Sequence, residues 1–225
     1  LSGESIRFIV RSGGGDFGGL DSTDVNSDVS GIAEATLTTG VTSGLNELTA
    51  LIVSSRSDSV NYTVTTTPGD VSYYTVVPLT LITTVDTDVT VDVTAYDANN
   101  NIVTTDNSTQ VNFSSSGSRV RLSAENGILS SGSTSFTFAD SAAESLTLTA
   151  SSNSDPSKTG TSAAVSVNAG DADLLVELSG DGVVTAGADR LLRARVTDIF
   201  GNVLSGESIR FIVRSGGGDF GGLDS

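Results

Sequence analysis

The 22 residues LSGESIRFIVRSGGGDFGGLDS at positions 1–22 return unchanged at positions 204–225. No other feature narrows the possible folds so far, because a chain that repeats itself is built from units that stack on their own copies. The period from Leu1 to Leu204 is 203 residues, and a shorter one lies inside it. Gly69-Asp70, after VNYTVTTTP, matches Gly170-Asp171, after AAVSVNA, at an offset of 101 residues. Carried forward without a gap, that offset sets TVDVTAYDANNNIV against LLRARVTDIFGNVL. Asp97 then falls on Asp198, Asn101 on Asn202 and Val103 on Leu204.

Two related units of about 100 residues, each the size of a small β-sandwich, therefore alternate along the sequence. Residues 70–170 are expected to be one complete domain of a second type. Residues 1–69 are expected to be a domain of the first type lacking its first strands, and residues 171–225 the N-terminal part of the next first-type domain. Joined in the order 171–203 then 1–69, the two pieces make a unit of 102 residues. The chain reads as one period of a tandem array plus an overlap of 22 residues, with neighbouring sequence expected to continue it covalently. The alternative is strand donation, in which a second chain supplies residues resembling 171–203. Under that scheme the overlap is redundant.

Apolar residues alternate at the strand period of two. Val91, Val93 and Ala95 share one face against Asp92, Thr94 and Tyr96, and Leu192, Ala194 and Val196 are set against Arg193 and Arg195. Phe136 with Phe138, Leu146 with Leu148 and Ala150, Leu48 with Ala50 and Ile52, and Ile209 with Phe211 and Val213 follow the same rule. Clusters of Gly, Asn, Asp and Ser separate these runs, and no helical apolar pattern competes with them. The expected class is all-β, in antiparallel sandwiches with one buried and one wet face per sheet.

Composition excludes much chemistry. With no Cys, neither a disulfide framework nor a thiolate site is possible, and with no His the commonest general base and metal ligand is gone. No Trp is present to stack on sugars. A net charge of -16 repels nucleic acid and anionic membranes and keeps a long polymer soluble. No run approaches the roughly 20 apolar residues of a membrane span, and no signal peptide is visible, so direct membrane insertion is not expected.

The remaining candidate sites are few. GGGDFGG at 13–19 lacks the Lys and the following helix of a phosphate loop, and reads as a loop using Gly for positive φ. Asp86, Asp88 and Asp92 lie opposite Val89, Val91 and Val93, as a solvated face does, so no catalytic carboxylate pair and no enzyme activity is expected. Asp24, Asn26 and Asp28, with Asp21 upstream, alternate as hard oxygen donors and form a weak calcium candidate, since Val29 stands where Gly is required and Ala35 where a bidentate Glu belongs. No other cofactor is expected. Pro68, Gly69 and Asp70, and likewise Ala169, Gly170 and Asp171, mark the junctions between domains, where Gly is expected to let the chain turn. Lys158, the only lysine, lies in the loop NSDPSKTG, away from any buried isopeptide position. Asn61, Asn107 and Asn112 each begin an N-x-S/T sequon.

The order RVTDIFGNVLSGESIRFIV, SGGGDF, SGIAEATLTTG and GLNELTALI resembles the bacterial immunoglobulin-like domains of the invasin and intimin type. The second unit carries a looser version, AYDANNNIV, QVNF, GILSSGSTSFTF and ESLTLTAS, in which Asn100 replaces the Gly before the shared Asn. The resemblance implies disulfide-free sandwiches strung into a stalk or fibre of a cell-surface or secreted adhesin. Its partners would be adjacent repeats of the same protein, with any host-cell, surface or matrix partner bound through other regions. A second possibility is a ligand-binding module presenting the loops SGGGDFGGLDS or SSSGSRVRL.

Overall fold

Alternating apolar residues become strands wherever a partner strand lies beside them. The computed structural model describes residues 2–55 and 58–220, and every regular element among them is a β-strand. The end of the repeated stretch, 221–225, lies outside the described residues.

Residues before the first junction contribute β1 (Ser5–Ser12), β2 (Ser22–Asn26), β3 (Gly44–Ile52) and β4 (Ser59–Thr66), which form one antiparallel sheet in the order β2-β1-β3-β4. Eleven strands follow before the second junction: β5 (Tyr73–Pro78), β6 (Ile82–Thr84), β7 (Val89–Tyr96), β8 (Gln110–Ser115), β9 (Val120–Leu122), β10 (Asn126–Ile128), β11 (Ser133–Asp140), β12 (Ser145–Leu146), β13 (Leu148–Ser152), β14 (Thr159–Thr161) and β15 (Val165–Asn168). The last two, β16 (Leu174–Ser179) and β17 (Arg193–Thr197), pair as an antiparallel ribbon.

The middle unit is a closed sandwich. Its sheets run β5-β7-β11-β9 and β10-β8-β13-β14, with β15 pairing antiparallel to β12 and parallel to β6 along one side. The inward rows are those the periodicity predicts: Val91, Val93 and Ala95 from β7, Phe136 and Phe138 from β11, Leu146 from β12, and Leu148 and Ala150 from β13 are all buried. Phe113 of β8 stacks on Phe136 across the two sheets, with ring centroids 4.2 Å apart. Burial of a dozen or more such side chains, each worth about 1.5–3 kcal/mol, is what holds a sandwich without disulfides together.

The two ends repeat different parts of that sandwich. The order β2-β1-β3-β4 copies β10-β8-β13-β14, and Phe8 lies opposite Ala50 as Phe113 lies opposite Ala150. The β16–β17 ribbon copies β5–β7 at the 101-residue offset, Leu174 facing Thr197 where Tyr73 faces Tyr96. One expectation fails here. Ile209, Phe211 and Val213 form no strand, whereas the same letters at 6, 8 and 10 form β1. Backbone donors and acceptors need partners, and β1 has β2 and β3 on either side while no strand among the described residues pairs with 208–213.

Candidate functional site: the junction between units

A strand that ends in Asp-x-x-x-Asn can fold the loop back on its own carboxylate, and both junctions are built on such a loop. After β7, Asp97 Oδ1 accepts the backbone N–H of Asn99 at 2.8 Å and of Asn101 at 2.9 Å. Its Oδ2 accepts the Asn101 side-chain amide at 2.9 Å and the backbone N–H of Gly69 at 2.9 Å. After β17, Asp198 repeats the arrangement with Phe200 at 3.0 Å, Asn202 at 2.8 Å through each of its two nitrogens, and Gly170 at 3.0 Å. Asn100 and Gly201, equivalent positions, both adopt left-handed φ of 64° and 85°. Asn tolerates that region better than most residues, which is why the second unit manages without the Gly.

The Asn side chain then reaches into the preceding unit. Asn101 donates to the carbonyl of Val41 at 2.9 Å and accepts the N–H of Ser43 at 2.8 Å. Asn202 donates to the carbonyl of Ser141 at 3.0 Å and accepts the N–H of Ala143 at 2.9 Å. One amide thus satisfies two backbone groups of the neighbouring loop while being held by an Asp of its own unit. The second junction adds Arg119, whose guanidinium donates to Asn202 Oδ1 at 2.9 Å and to the carbonyl of Phe200 at 3.0 Å, and Phe200 packs against the core of the middle unit.

These donors stabilise the ionised carboxylate. The Asn101 amide holds the Asp97 carboxyl down to about 2, burial opposing it and the Gly69, Asn101 and Asn99 N–H groups assisting. For Asp198 burial works against ionisation, and the donors from Asn202, Gly170 and Phe200 outweigh it, so its pKa also lies below 3.8.

Neither junction Gly takes a left-handed φ. Gly69 and Gly170 serve as N–H donors to Asp97 and Asp198, and a Cβ on Gly170 would press on Val85 Cγ2 at 3.3 Å. The neighbouring Asp70 and Asp171 are exposed, and Pro68 and Ala169 are half-buried. The residues that make the joint, Asp97, Asn101, Asp198 and Asn202, align at the 101-residue offset in the sequence, and a short polar loop kept in both otherwise divergent units was the available signal.

The other sequence candidates lie apart from the joint. Asp24 gives both carboxylate oxygens to Arg7, at 2.6 and 2.7 Å, and Asp28 Oδ1 accepts the N–H groups of Ser30 and Ile32 in its own loop. Asn26 closes β2 without joining either, and no cluster of three acidic side chains suited to a cation occurs among the described residues. Gly13, Gly14, Gly18 and Gly19 of the Gly-rich loop do take positive φ, and the loop tucks Phe17 inward. Arg119, in the SSSGSRVRL stretch, is committed to the second junction. Asp88 pairs with Arg121 at 3.1 Å on the exposed face.

Two facing four-stranded sheets in the middle unit, with parts of the same arrangement on either side of it joined through an Asp–Asn loop, define an immunoglobulin-like sandwich. The fold is that of the immunoglobulin-like domains of bacterial adhesins of the invasin and intimin type. InvD of Yersinia pseudotuberculosis is similar at a TM-score of 0.50 and 15% identity, over 91% of this chain and 62% of that one. FdeC, an Escherichia coli adhesin, aligns at 0.48 and 15% over 92% and 78%, and the D0-D1 domains of intimin at 0.36 and 16% over 75% and 83%. No protein-family model matches the sequence, and no curated protein is significantly similar to it.

Proposed function

We propose that the chain is a structural repeat segment of a long secreted or cell-surface protein, an extracellular stalk or fibre that carries adhesion. The observation that supports this reading most directly is the repetition of the junction, with the same Asp, Asn and Gly atoms in the same roles. A joint copied along an array sets the angle between successive domains, and a fixed angle lets repeat number set reach. The partners of this stretch are its neighbouring repeats, and any host or matrix target is engaged by other parts of the protein. The InvD likeness supports a bacterial surface setting. The net charge of -16 suits a polymer that must stay hydrated and unaggregated.

Small-angle scattering on the 225-residue chain tests the reading. An extended particle that collapses toward a flexible average when both Asn101 and Asn202 are changed to Ala supports it, and a flexible wild-type chain sinks it.

A further inference from the structure

The loop that Asn202 grips carries two carboxyls, and the loop that Asn101 grips carries none. Asn101 bonds the carbonyl of Val41 and the N–H of Ser43, as Asn202 bonds the carbonyl of Ser141 and the N–H of Ala143, so positions 40 and 44 of the first joint correspond to 140 and 144 of the second. Those positions hold Gly40 and Gly44 in one and Asp140 and Glu144 in the other. Asp140 closes β11 and is 2% exposed. Its Oδ1 accepts the N–H of Ala142 at 2.8 Å, while Oδ2 is buried without a hydrogen-bond partner. Glu144 lies beside it and accepts the backbone N–H of Ser118 and, at 2.8 Å, the Ser118 hydroxyl. Ionised carboxylates are acceptors only, so Asp140 Oδ2 gains a partner in Glu144 only by holding a proton.

The backbone of this loop is anchored at both ends. The carbonyl of Asp140 accepts the N–H of Asp86, and that of Glu144 accepts the N–H of Val167, each at 2.8 Å. Between the anchors, Ser141 and Ala143 make the contacts with Asn202. The other charged groups on the elements around Asp140 have partners of their own. Arg121 of β9 pairs with Asp88 at 3.1 Å and approaches Asp86 at 3.9 Å, all three on the exposed face before and beside β7. Arg119 donates across the joint to Asn202 and Phe200, and Asp198 accepts from Gly170, Phe200 and Asn202.

We propose that Asp140 and Glu144 form a proton-operated clasp on the second joint: a proton taken from solvent onto Asp140 Oδ2 is donated to the Glu144 carboxylate, fixing the loop that Asn202 grips. Burial, with Glu144 adding to it, raises the Asp140 carboxyl above 3.8, whereas the Ser118 N–H and hydroxyl hold Glu144 below 4.5. The Asp140 contribution is therefore present once that group is protonated and is lost as pH rises through its raised folded value. The Glu144 contribution is present while that group is ionised and is lost as pH falls through its own folded value. Between the two values one carboxyl holds a proton and the other a charge, and the clasp is shut. At neutral pH both are ionised and the clasp is open. The first joint, with glycine at both positions, has no such response. This inference deepens the reading of the joint and rests on that contact rather than on the stalk role.

Two equivalent amides report the two joints separately: Ala143 N–H, bonded to Asn202, and Ser43 N–H, bonded to Asn101. Their hydrogen-exchange protection, corrected for the intrinsic rate at each pH, is followed by NMR on the 225-residue chain from pH ~7 to pH ~4. Protection of Ala143 should rise ~5-fold or more as Asp140 takes up its proton. Ser43 should stay level, because the Asp97 carboxyl keeps its charge down to about 2. Asp140→Asn, whose amide donates to Glu144 without a proton, should hold Ala143 at the protected level throughout. Glu144→Gln removes the neighbouring charge and should move the midpoint of the rise to lower pH. A flat Ala143 profile overturns the proposal. So does a rise matched by the β7 amides of the same unit, which would reduce it to a gain in overall stability, or an equal rise on adding calcium at pH ~7, which would assign the pair to a cation. Exchange reports one contact and scattering reports overall shape, so a failure here and a failure of the stalk reading are told apart.

Discussion

The side-chain amide of Asn101 donates to the carboxylate of Asp97 at 2.9 Å while the same nitrogen reaches the carbonyl of Val41 in the preceding unit, also at 2.9 Å. Intradomain order and interdomain contact therefore rest on one group. Changing Asn101 to Ala removes two donors' worth of contact from Asp97 and Val41 and the acceptor for Ser43, and is expected to destabilise the junction by about 1–3 kcal/mol. NMR relaxation should show the units tumbling separately, with the cores of both still folded.

Acid acts on the same joint. The Asp97 pKa is depressed to about 2 from 3.8, so its contribution is fully present above the unfolded value, and is lost as pH falls through the folded one. Scattering between pH 5 and pH 2 (about the range set by the two values) should show interdomain order fading toward the acid end. Asn substituted for Asp97 should flatten that dependence.

Asp140 behaves in the opposite sense. Burial pushes its carboxyl up, Glu144 adding to the effect, and its Oδ2 is buried without a hydrogen-bond partner. A raised carboxyl pKa favours the folded state only while the group is protonated, so the ionised form weighs against folding at neutral pH. Asp140→Asn keeps an acceptor for the N–H of Ala142 and is expected to raise stability at pH ~7 by about 1 kcal/mol, the advantage shrinking below the ordinary carboxyl range. Thermal melts at pH ~7 and at an acid pH below that range measure it.

Burial separates two substitutions of similar chemistry. Phe138→Ala removes a side chain that is fully buried between the sheets and should cost about 3–5 kcal/mol. Leu175→Ala trims an exposed side chain and should leave the melting of the isolated chain unchanged within ~0.5 kcal/mol. Urea titrations of both compare them directly.

A methyl group at Gly160 would collide with the carbonyl of Tyr74, where β14 lies against β5. The clash is with backbone, which cannot swing aside. Gly160→Ala should therefore destabilise the middle unit by ~2 kcal/mol or more, and Gly14→Ala, in open space though at positive φ, by about 1. Hydrogen exchange of the middle-unit core distinguishes the two.

Much of the middle unit was legible beforehand. Alternation placed Val91, Val93, Ala95, Phe136 and Phe138 on the inner face, because a strand's two-residue period sorts side chains by face whatever surrounds it. The 101-residue offset set Asp97 on Asp198 and Asn101 on Asn202. Their task was hidden, since an Asn four residues from an Asp reads as any polar turn. Its partners, Val41 and Ser43, lie about 60 residues away. The donor role of Gly69 and Gly170 was hidden for the same reason, as each is held by a carboxylate 28 residues further on.

By itself the sequence determined the all-β class, the repeat and the inner faces of the middle unit's long strands, all local or periodic properties of the letters. Tertiary structure alone decided which strands form. Residues 5–12 are β1, paired with β2 and β3, while the identical letters at 208–215 remain unpaired. A strand's hydrogen bonds are made with another part of the chain, so the same text yields a strand only where that partner is present.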